Sequence, residues 1–330
     1  MNCPKLSELP AAPADRTGWP WTEESTTLSD GACDGTSWPT ISVITPSLNQ
    51  GSFLEETIRS VLLQGYPNLD YIVMDGGSTD GSIEIIKKYS RWLSYWITEP
   101  DAGQSDAINR GLKRATGKFA TWINSDDLLC KNALSGHATQ VGFDSNTVYV
   151  GDCVYIDHNS QPLSVHRGRV KSLEDLLRIK DIWRSQPQGG HIVQPEVLFP
   201  RELTLSVGGL NPDNHFTMDY ELWGKLFLAR AKFQYTDVRF GMFREHADQK
   251  TYNAMRQTRS LLNTATELVG RADVLSGETR NEILAELEAY RLQYEKEYWK
   301  GSGRLAKLGL PPALVSPLRR LRVLVQNASK

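Results

Sequence analysis

The chain has 330 residues, of which 40% are hydrophobic and 23% are charged, and its formal net charge is −2. This composition is typical of a soluble globular protein, and the balanced charge excludes the strong basic field that recruits nucleic acid. No apolar run is long enough to span a bilayer, and the first residues lack the apolar stretch of a secretory signal. The four cysteines have no metal-type spacing, so we expect reduced thiols in a cytoplasmic protein.

The first 37 residues are rich in Pro, Gly, Ser, Thr and Asp, and they carry Trp19 and Trp21, with Trp38 directly after them. This composition predicts an irregular arm without regular secondary structure. Two interpretations stay open. Either the tryptophans attach the arm to the surface of the following domain, or the arm is a disordered tail.

Strands and helices alternate between residues 41 and 123. Short apolar strands are predicted at 41–45, 71–75, 95–98 and 119–123, and helices at 52–65, 82–90 and 103–117. Ser52 and Glu55 have the spacing of a capping box for the first helix, which we expect Gly65 to close. Because the strands lack polar–apolar alternation, they favour a parallel sheet that is covered on both faces.

The second half of the chain is less regular, as in a mixed sheet with inserted loops. A strand is predicted at 191–199 and a helix at 218–231. From residue 252 onward the chain is expected to be largely helical and charged. Its longest predicted helix covers 278–299, before the two glycines Gly301 and Gly303 that we expect to end it.

A polar cluster follows each of the first four predicted strands. The clusters are Thr45-Pro46-Ser47, Asp75-Gly76-Gly77-Ser78, Glu99-Pro100-Asp101 and Asn124-Ser125-Asp126-Asp127. Ligands of α/β proteins bind beyond the carboxyl ends of parallel strands, where such clusters meet. The sequence contains no dinucleotide-binding glycine motif, P-loop or nucleophile elbow. A carboxylate-rich site without a phosphate cradle needs a divalent cation to hold a diphosphate.

Seven segments resemble, in the same order, parts of the inverting glycosyltransferases of family 2. They are ISVITPSLNQGSFLEETIRSVLLQGYPNLDYIVMDGGSTDGS, EPDAGQSDAINRGLKRATG, WINSDD, QPEVLFPRE, VGGLN, MDYELW and FREHADQKT. The resemblance implies a GT-A-type three-layer α/β/α domain with a mostly parallel sheet, plus C-terminal helices. We therefore expect an irregular arm over 1–37, a GT-A glycosyltransferase domain over 38–252 and a helical extension over 253–330.

The resemblance also implies which residues contact the nucleotide sugar, namely Thr45, Pro46, Ser47, Asp75, Asp101, Asn124 and Asp126. Asp75 matches a carboxylate that hydrogen-bonds the base, although an acid in this place also caps a GSTDGS turn. Asp101 matches an acid on the floor of the donor pocket. Gly76 stands where members of the family often have a second acid, which leaves the identity of the base open.

The segment Asn124-Ser125-Asp126 occupies the position of the D-x-D motif of the family. The resemblance implies that Asp126 binds Mg²⁺ or Mn²⁺ and that His246 closes over the metal or the diphosphate. Asn124 replaces the first acid of the motif, and it can still bond a ribose hydroxyl or a metal-bound water. Asp127 is expected to shape the turn.

Asp219 matches the catalytic base of the family. Taken alone, an acid in the first turn of a helix is common because the helix dipole favours it. Asp213 and Glu221 lie close to it in the sequence, but the family register favours Asp219. His191 and Gln194 are expected on the acceptor side.

The expected reaction is the inverting transfer of a sugar, of the hexosyltransferase type, from a nucleotide-diphosphate sugar to an acceptor hydroxyl. A UDP-sugar is the favoured donor, and the acceptor is a glycan or a lipid-linked glycan in bacterial-type polysaccharide assembly. Two alternatives stay open. A nucleotidyltransferase is disfavoured because TPSLNQGS lacks Lys and Arg, whereas Asn124 gives weight to a catalytically inactive carbohydrate- or nucleotide-sugar-binding protein.

The segment SPLRRLRVLVQ at 316–326 predicts a short, imperfectly amphipathic helix. One interpretation is weak, reversible attachment to the inner face of a membrane, where basic residues contact anionic lipids. The other is that the helix packs against the catalytic domain.

Overall fold

The computed structural model describes residues 3–31, 35–184, 190–246 and 254–306. The chain divides into two compact units, residues 1–246 and residues 247–330. The first unit contains a nine-stranded sheet. Its strands are β1 (Ile41–Ser47), β2 (Leu69–Asp75), β3 (Tyr95–Thr98), β4 (Phe119–Trp122), β5 (Leu128–Leu129), β6 (Thr147–Ile156), β7 (Pro162–Arg167), β8 (Val197–Pro200) and β9 (Lys232–Arg244).

The helices of the first unit connect these strands. They are α1 (Gly51–Leu62), α2 (Ser82–Tyr89), α3 (Gln104–Arg114), α4 (Ala133–Gln140), α5 (Leu173–Leu177), α6 (Ile179–Arg184), α7 (Arg201–Ser206) and α8 (Met218–Leu228). Short 3₁₀ turns lie at Leu6–Glu8, Ser90–Trp92 and Gln194–Glu196.

The sheet has a parallel half and a mixed half. Its strand order is β3-β2-β1-β4-β8-β6-β9-β5, with β7 beside β6. The strands β1, β2, β3 and β4 pair in parallel, whereas β8 is antiparallel to both β4 and β6. The predicted α/β class, with a parallel sheet followed by a mixed one, is therefore confirmed.

Burial on both faces explains why the first strands lack a regular alternation of polar and apolar residues. Every residue of β1 and β2 is buried. Helix α1 places Leu54, Ile58 and Val61, all with no exposed surface, in the same apolar core. Each fully buried aliphatic side chain contributes roughly 1.5–3 kcal/mol relative to an exposed one.

The N-terminal arm packs against the rest of the first unit, as the first interpretation of its tryptophans expected. Trp21 is buried, and Trp19 Nε1 donates to the carbonyl of Leu129 at 2.9 Å. Arg59 of α1 donates to carbonyl oxygens of the arm at Pro10, Pro20 and Trp21. Gly65 has φ +63°, and a Cβ there would lie 2.5 Å from the carbonyl oxygen of Thr26.

The start of α1 differs from the predicted capping box. The helix begins at Gly51, so Ser52 lies inside its first turn. The amide of Gly51 donates to Asp80 Oδ2 at 2.8 Å, and Glu55 accepts from Lys88 and Tyr89. The cap therefore comes from a residue that is distant in sequence, which local spacing cannot reveal.

Two further boundaries were predicted wrongly. Of the predicted strand 191–199, only residues 197–199 belong to a strand, because Pro195 cannot donate to a sheet ladder and lies in a 3₁₀ turn. Gly301 and Gly303 do not end the last helix, which continues to Ala306. A glycine costs about 1 kcal/mol relative to alanine inside a helix, so it weakens a helix without necessarily stopping it.

The second unit consists, in its described part, of α9 (Ala254–Arg271) and α10 (Gly277–Ala306), which contact each other. Arg291 Nη1 of α10 donates to Asn263 Oδ1 of α9 at 3.1 Å. Within the described residues, no helix is both long enough and apolar enough to cross a bilayer. The predicted membrane-binding segment 316–326 lies outside the described residues.

Candidate active site

The polar clusters at the strand ends meet at one edge of the sheet. In the register of the parallel strands, Ser47 pairs with Asp75, and Asp75 pairs with Thr98. The amide of Gly76 donates to the carbonyl of Ser47 at 2.8 Å. The fourth cluster joins them because Gln104, which begins α3 after the third cluster, bonds Asn124.

Asp75 holds the turn that follows β2. Its Oδ2 accepts from the amides of Gly77 and Ser78 at 3.1 and 2.9 Å and from Thr98 Oγ1 at 2.7 Å. Its Oδ1 accepts from the hydroxyl of Ser78. The residue is 2% exposed. A carboxylate has about four lone-pair sites that can accept hydrogen bonds, and these four contacts occupy them. This agrees with the interpretation that Asp75 caps the turn.

Gly76 is explained by the carboxylate of Asp101. A Cβ at position 76 would lie 2.9 Å from Asp101 Oδ2, so a side chain there would require the Asp101 carboxylate to move. Asp101 Oδ1 accepts from the amide of Gly103 at 2.8 Å, which fixes the carboxylate in this place. The second acid that is absent from position 76 is thus replaced in space by an acid from the next strand end.

The two hydroxyl groups at the end of β1 differ. Thr45 is fully buried, and its Oγ1 lies 3.1 Å from the hydroxyl of Tyr71. Ser47 Oγ is also buried, but it has no hydrogen-bond partner among the described residues. Pro46 lies between them in the strand and pairs with Met74. Ser47 is therefore the residue of this cluster with an unused polar atom.

Two side chains, Thr57 and Arg244, bind the backbone of the turn after β4. Thr57 Oγ1 of α1 donates to the carbonyls of Ser125 and Asp127, at 2.9 and 2.8 Å. Arg244 Nε donates to the carbonyl of Asp126 at 2.7 Å, and the Arg244 amide donates to Asp127 Oδ1 at 2.9 Å. These contacts fix the backbone on which Asp126 is carried.

Asn124 lies in an amide network that an aspartate would disturb. Its Nδ2 donates to Asp127 Oδ2 at 3.1 Å and to Gln194 Oε1 at 3.4 Å, and its Oδ1 accepts from Gln104 Nε2 at 2.7 Å. Burial, and then the charge of Asp126, raise the pKa of Asp127 well above its ordinary value. Another carboxylate at position 124 would add repulsion, whereas the amide donates a hydrogen bond.

Asp126 and His246 form the pair that could bind a cation. His246 Nε2 lies 2.9 Å from Asp126 Oδ2. Two ligands bound at right angles, each about 2.1 Å from a Mg²⁺-sized ion, are about 3 Å apart. No cluster of three or more His, Cys, Asp or Glu suited to a metal occurs in the part of the chain that the structure describes. The pair therefore fits a cation that completes its coordination with phosphate oxygens and water.

Asp219 lies in the first turn of α8, next to the start of α3. The two helix starts touch where the hydroxyl of Ser105 lies 2.8 Å from Met218 Sδ. Asp219 Oδ1 accepts from the amide of Tyr220 at 2.8 Å. Asp219 is only partly buried as a residue, but desolvation of its carboxyl group raises its pKa from 3.8 to about 6. A carboxylate with this pKa can take up a proton near neutral pH.

The neighbouring acids do not share this environment. Glu221 Oε2 accepts from Asn211 and Asn214 at 3.1 and 2.9 Å, and its Oε1 lies 3.1 Å from Lys225 Nζ. Burial raises the pKa of Glu221, but these hydrogen bonds and the lysine charge outweigh it, so the pKa is lowered overall. Asp213 is exposed. Asp219 is therefore the acid of this group that is suited to accept a proton.

Gln194 and His191, both expected on the acceptor side, are buried but lie in different surroundings. The side chain of Gln194 donates to the carbonyl of Trp122 and contacts Asn124. Burial, and then the neighbouring charge of His166, lower the pKa of His191 to about 3, so the imidazole is neutral. The structure thus joins Gln194 to the strand-end site, while His191 packs 4.6 Å from the His166 ring.

Comparison with known proteins relates the part of this site at the strand ends to a family. Residues 42–199, which include β2 to β4 and all four strand-end clusters, match the family described as Glycosyl transferase family 2.

Residues 42–199 form a family 2 glycosyltransferase domain.

Three similar proteins come from bacteria. An uncharacterised glycosyltransferase of Rickettsia prowazekii is 28% identical over 223 residues, which cover 66% of this chain and 68% of the relative. TuaG of Bacillus subtilis, a glycosyltransferase assigned to teichuronic acid biosynthesis, is 37% identical over 103 residues, or 30% of this chain and 41% of TuaG. TarS of S. aureus, solved with UDP-GlcNAc, has a TM-score of 0.56 at 18% identity and covers 75% of this chain and 71% of its own. The fold is therefore of the GT-A type.

Sequence reasoning missed several residues that shape the site of this glycosyltransferase. Arg244 lies in the quoted FREHADQKT segment, but its burial could not be read from that motif. Glu56 and Thr57 precede Ile58 on α1, and their polar side chains concealed that they face the interior. Gln104 follows a glycine at a helix start, where no spacing signal marks a contact with Asn124.

Proposed function

We propose that this glycosyltransferase transfers a sugar from a nucleotide-diphosphate sugar to an acceptor hydroxyl with inversion at the anomeric carbon. The observation that carries the proposal is the contrast between two carboxylates. Asp126 is paired with His246 at 2.9 Å on a rigid turn, whereas the desolvated Asp219 has a pKa of about 6. The first suits charge stabilisation, and the second suits proton transfer.

On the donor side, Asp126 and His246 would hold Mg²⁺ or Mn²⁺. When bound, the cation would neutralise charge on the departing diphosphate. We propose that the nucleoside lies along the neighbouring strand ends, where Pro46 and Ser47 line it and Asp101 offers a carboxylate oxygen. Asp75 supports this site indirectly, because it fixes the turn after β2. Thr45 supports it through its contact with Tyr71, which fixes the end of β1.

On the acceptor side, Asp219 acts as the general base. Its carboxylate accepts the proton of the acceptor hydroxyl while the hydroxyl oxygen forms a bond to the anomeric carbon. The bond from that carbon to the diphosphate oxygen breaks, and the nucleotide diphosphate leaves with the bonding electrons. Because attack and departure occur on opposite faces of one carbon, a single step inverts it. Asn124 and Gln194 connect the two sides through their hydrogen bond.

The acceptor that we propose is a glycan or a lipid-linked glycan in bacterial polysaccharide assembly. The likeness to TuaG, which covers 30% of this chain, supports a role of this kind. The basic segment 316–326 supports weak association with an anionic membrane surface, at about 1 kcal/mol for each basic residue. Cosedimentation with anionic liposomes at low salt tests this role. Equal sedimentation of the full chain and of a chain ending at residue 312 would oppose it.

A nucleotide panel tests the donor assignment. UDP is the first probe because TarS, which shares the fold, is known with UDP-GlcNAc. A ligand that binds only the folded state raises the melting temperature by mass action. We expect UDP, or else GDP or dTDP, to raise it more with Mn²⁺ than without.

Hydrolysis of the matching nucleotide sugar without acceptor then separates an enzyme from an inactive binding protein, since only an enzyme releases the nucleotide. No shift with any of these nucleotides at millimolar concentration would contradict the donor assignment.

A further inference from the structure

A buried arginine joins four segments beneath the proposed cation site. Arg244 ends β9 and has no exposed surface. Its Nη2 donates to Glu56 Oε2 of α1 at 2.9 Å, and its Nη1 donates to Ser160 Oγ in the β6–β7 turn at 2.8 Å. Its Nε donates to the carbonyl of Asp126 at 2.7 Å. His246, the second candidate ligand, follows only two residues later.

The ion pair between Arg244 and Glu56 is not an efficient way to stabilise a core. The two side chains are 0% and 5% exposed. Desolvation of a buried pair can cost as much as its attraction contributes, and apolar residues of similar volume are often equally stable there. What the pair adds is direction, because the planar guanidinium donates to several acceptors in fixed geometry. Glu56 Oε1 accepts from Ser160 Oγ at 2.7 Å, which closes this network.

The same cluster also reaches the imidazole. Phe53, one turn before Glu56 on α1, packs with its ring centroid 4.9 Å from that of His246. The guanidinium carbon of Arg244 lies 4.8 Å from the centroid of the Phe53 ring. The arginine therefore contacts Asp126 through its carbonyl and supports His246 through Phe53 and the chain itself.

We propose that Arg244, anchored on Glu56, is a positioning residue for cation binding, which fixes Asp126 and His246 at the separation at which both reach one ion. The inference rests on the proposed function, because it assigns a role within the donor side of that site. It differs from a purely structural role in one respect. If Arg244 and Glu56 position the cation ligands, a change that weakens their ion pair must lower cation affinity even in variants that remain folded.

The chain offers a matched control on the same helix. Arg59 of α1 is also buried, and it donates to Tyr89 and to carbonyls of the N-terminal arm, away from the cation pair. Arg59→Lys and Arg244→Lys thus remove the same planar fork from two buried places. Glu56→Gln keeps the volume of the anchor and removes its charge. Ser160→Ala is a milder change that removes one hydroxyl from the network.

The experiment measures Mn²⁺ dissociation constants by electron paramagnetic resonance on the full chain, with saturating UDP, alongside melting temperatures. Loss of a residue that orients a metal ligand typically weakens metal affinity by about 10–100-fold, and we expect this range for Glu56→Gln and Arg244→Lys. Ser160→Ala should show a smaller loss in the same direction. Arg59→Lys should lower the melting temperature but leave the Mn²⁺ constant within twofold.

The outcomes separate the inference from the proposed function. If Glu56→Gln or Arg244→Lys folds and binds Mn²⁺ like the wild type, the positioning role is wrong while the donor site stands. If neither folds, an unchanged Mn²⁺ constant for Ser160→Ala would overturn the role. If Arg59→Lys weakens Mn²⁺ binding as much as Arg244→Lys, the effect is general destabilisation, and the inference also fails. If wild-type protein binds neither UDP nor Mn²⁺, the proposed function itself is contradicted.

Discussion

The turn after β4 and the first turn of α8 each present a carboxylate to the proposed site, but the protein holds the two in opposite ways. The carbonyls of 125–127 are bonded by Thr57 and Arg244, and Asp126 itself is paired with His246. Asp219, in contrast, accepts one described hydrogen bond, from the amide that follows it. A cation ligand must keep its place and its charge, whereas a general base must change its charge during each turnover.

The same contrast appears within α8 between two acids that are two residues apart. Glu221 has a lysine and two asparagines as partners, and its pKa is lowered. Among the residues that the structure describes, Asp219 has no such lysine or asparagine partner, and desolvation raises its pKa to about 6. A shared helix and a shared residue class therefore do not decide function here. The difference between the two acids comes from their partners, which compensate the charge of Glu221 and leave that of Asp219 uncompensated.

The largest effect is expected from Asp219→Asn. A general base typically contributes about 10²–10⁴-fold to the rate, so turnover should fall by this amount. Binding of UDP with Mn²⁺ should stay within a few-fold, because asparagine keeps the acceptor atom that bonds the Tyr220 amide. Steady-state rates and calorimetric titration check the two parts.

Glu221→Gln is the matched control for this change, since it removes one acid from the same helix. It should lower stability while keeping turnover within a few-fold of wild type. If Glu221→Gln reduced turnover as strongly as Asp219→Asn, the contrast between the two acids would lose its functional meaning.

The second largest effect is expected from Asp126→Ala, which removes the charge that would hold the cation. The Mn²⁺-dependent part of UDP affinity should fall by more than the roughly 10–100-fold that is typical of a supporting residue. Asn124→Ala should cost less, because Asn124 contributes hydrogen bonds and no charge. Titrations of UDP with and without Mn²⁺ measure both. Identical wild-type affinity in the two conditions would oppose use of a metal.

A third comparison separates Asp101 from Asp75. Asp101→Asn should weaken UDP binding with little change in melting temperature, since a hydrogen bond to a charged group contributes about 1.5–3 kcal/mol. Asp75→Asn should lower the melting temperature as well, because its amide would face the N–H groups of Gly77 and Ser78. Unchanged stability of Asp75→Asn would show that the turn does not depend on this carboxylate.

The smallest effect concerns stability. The unfolded Asp219 has a pKa of 3.8, and folding raises it to about 6, so the charged carboxylate destabilises the fold above pH 6. One pKa unit corresponds to about 1.4 kcal/mol, which sets an upper limit of about 3 kcal/mol. We expect Asp219→Asn to gain about 1–2 kcal/mol at pH 7.5 in urea unfolding.

This gain should shrink as the pH falls from 6 towards 4, where the folded wild type takes up the proton. An equal gain at pH 7.5 and pH 4 would show that relief of the charge is not its cause.

The sequence was a good guide wherever one principle decided the outcome. Continuous apolar strands with intervening helices predicted the parallel half of the sheet, and with it that the turns carrying Asp75, Asp101 and Asn124 lie at the same edge. Between residues 41 and 123, strand and helix types were correct because the pattern of burial dictates them locally. The resemblance to family 2, visible from the order of the motifs, is confirmed by the family match.

What escaped prediction depends on partners that are distant in the chain. The cap of α1 comes from Asp80, and the space beside Gly76 is filled by Asp101. Arg244 and Glu56 meet across 188 residues of sequence. No local spacing encodes such contacts, and a charged residue in a motif gives no sign that it is buried.

The most direct test of the central claim is the pH dependence of turnover, with saturating Mn²⁺ and the donor identified by the nucleotide panel. A base must be deprotonated to act, so the rate should rise with pH below about 6 and level off above it, as the pKa of Asp219 requires. The residual rate of Asp219→Asn should lack this rise. A wild-type rate that is flat between pH 5 and pH 7, or the same rise in Asp219→Asn, would contradict the assignment of Asp219 as the base.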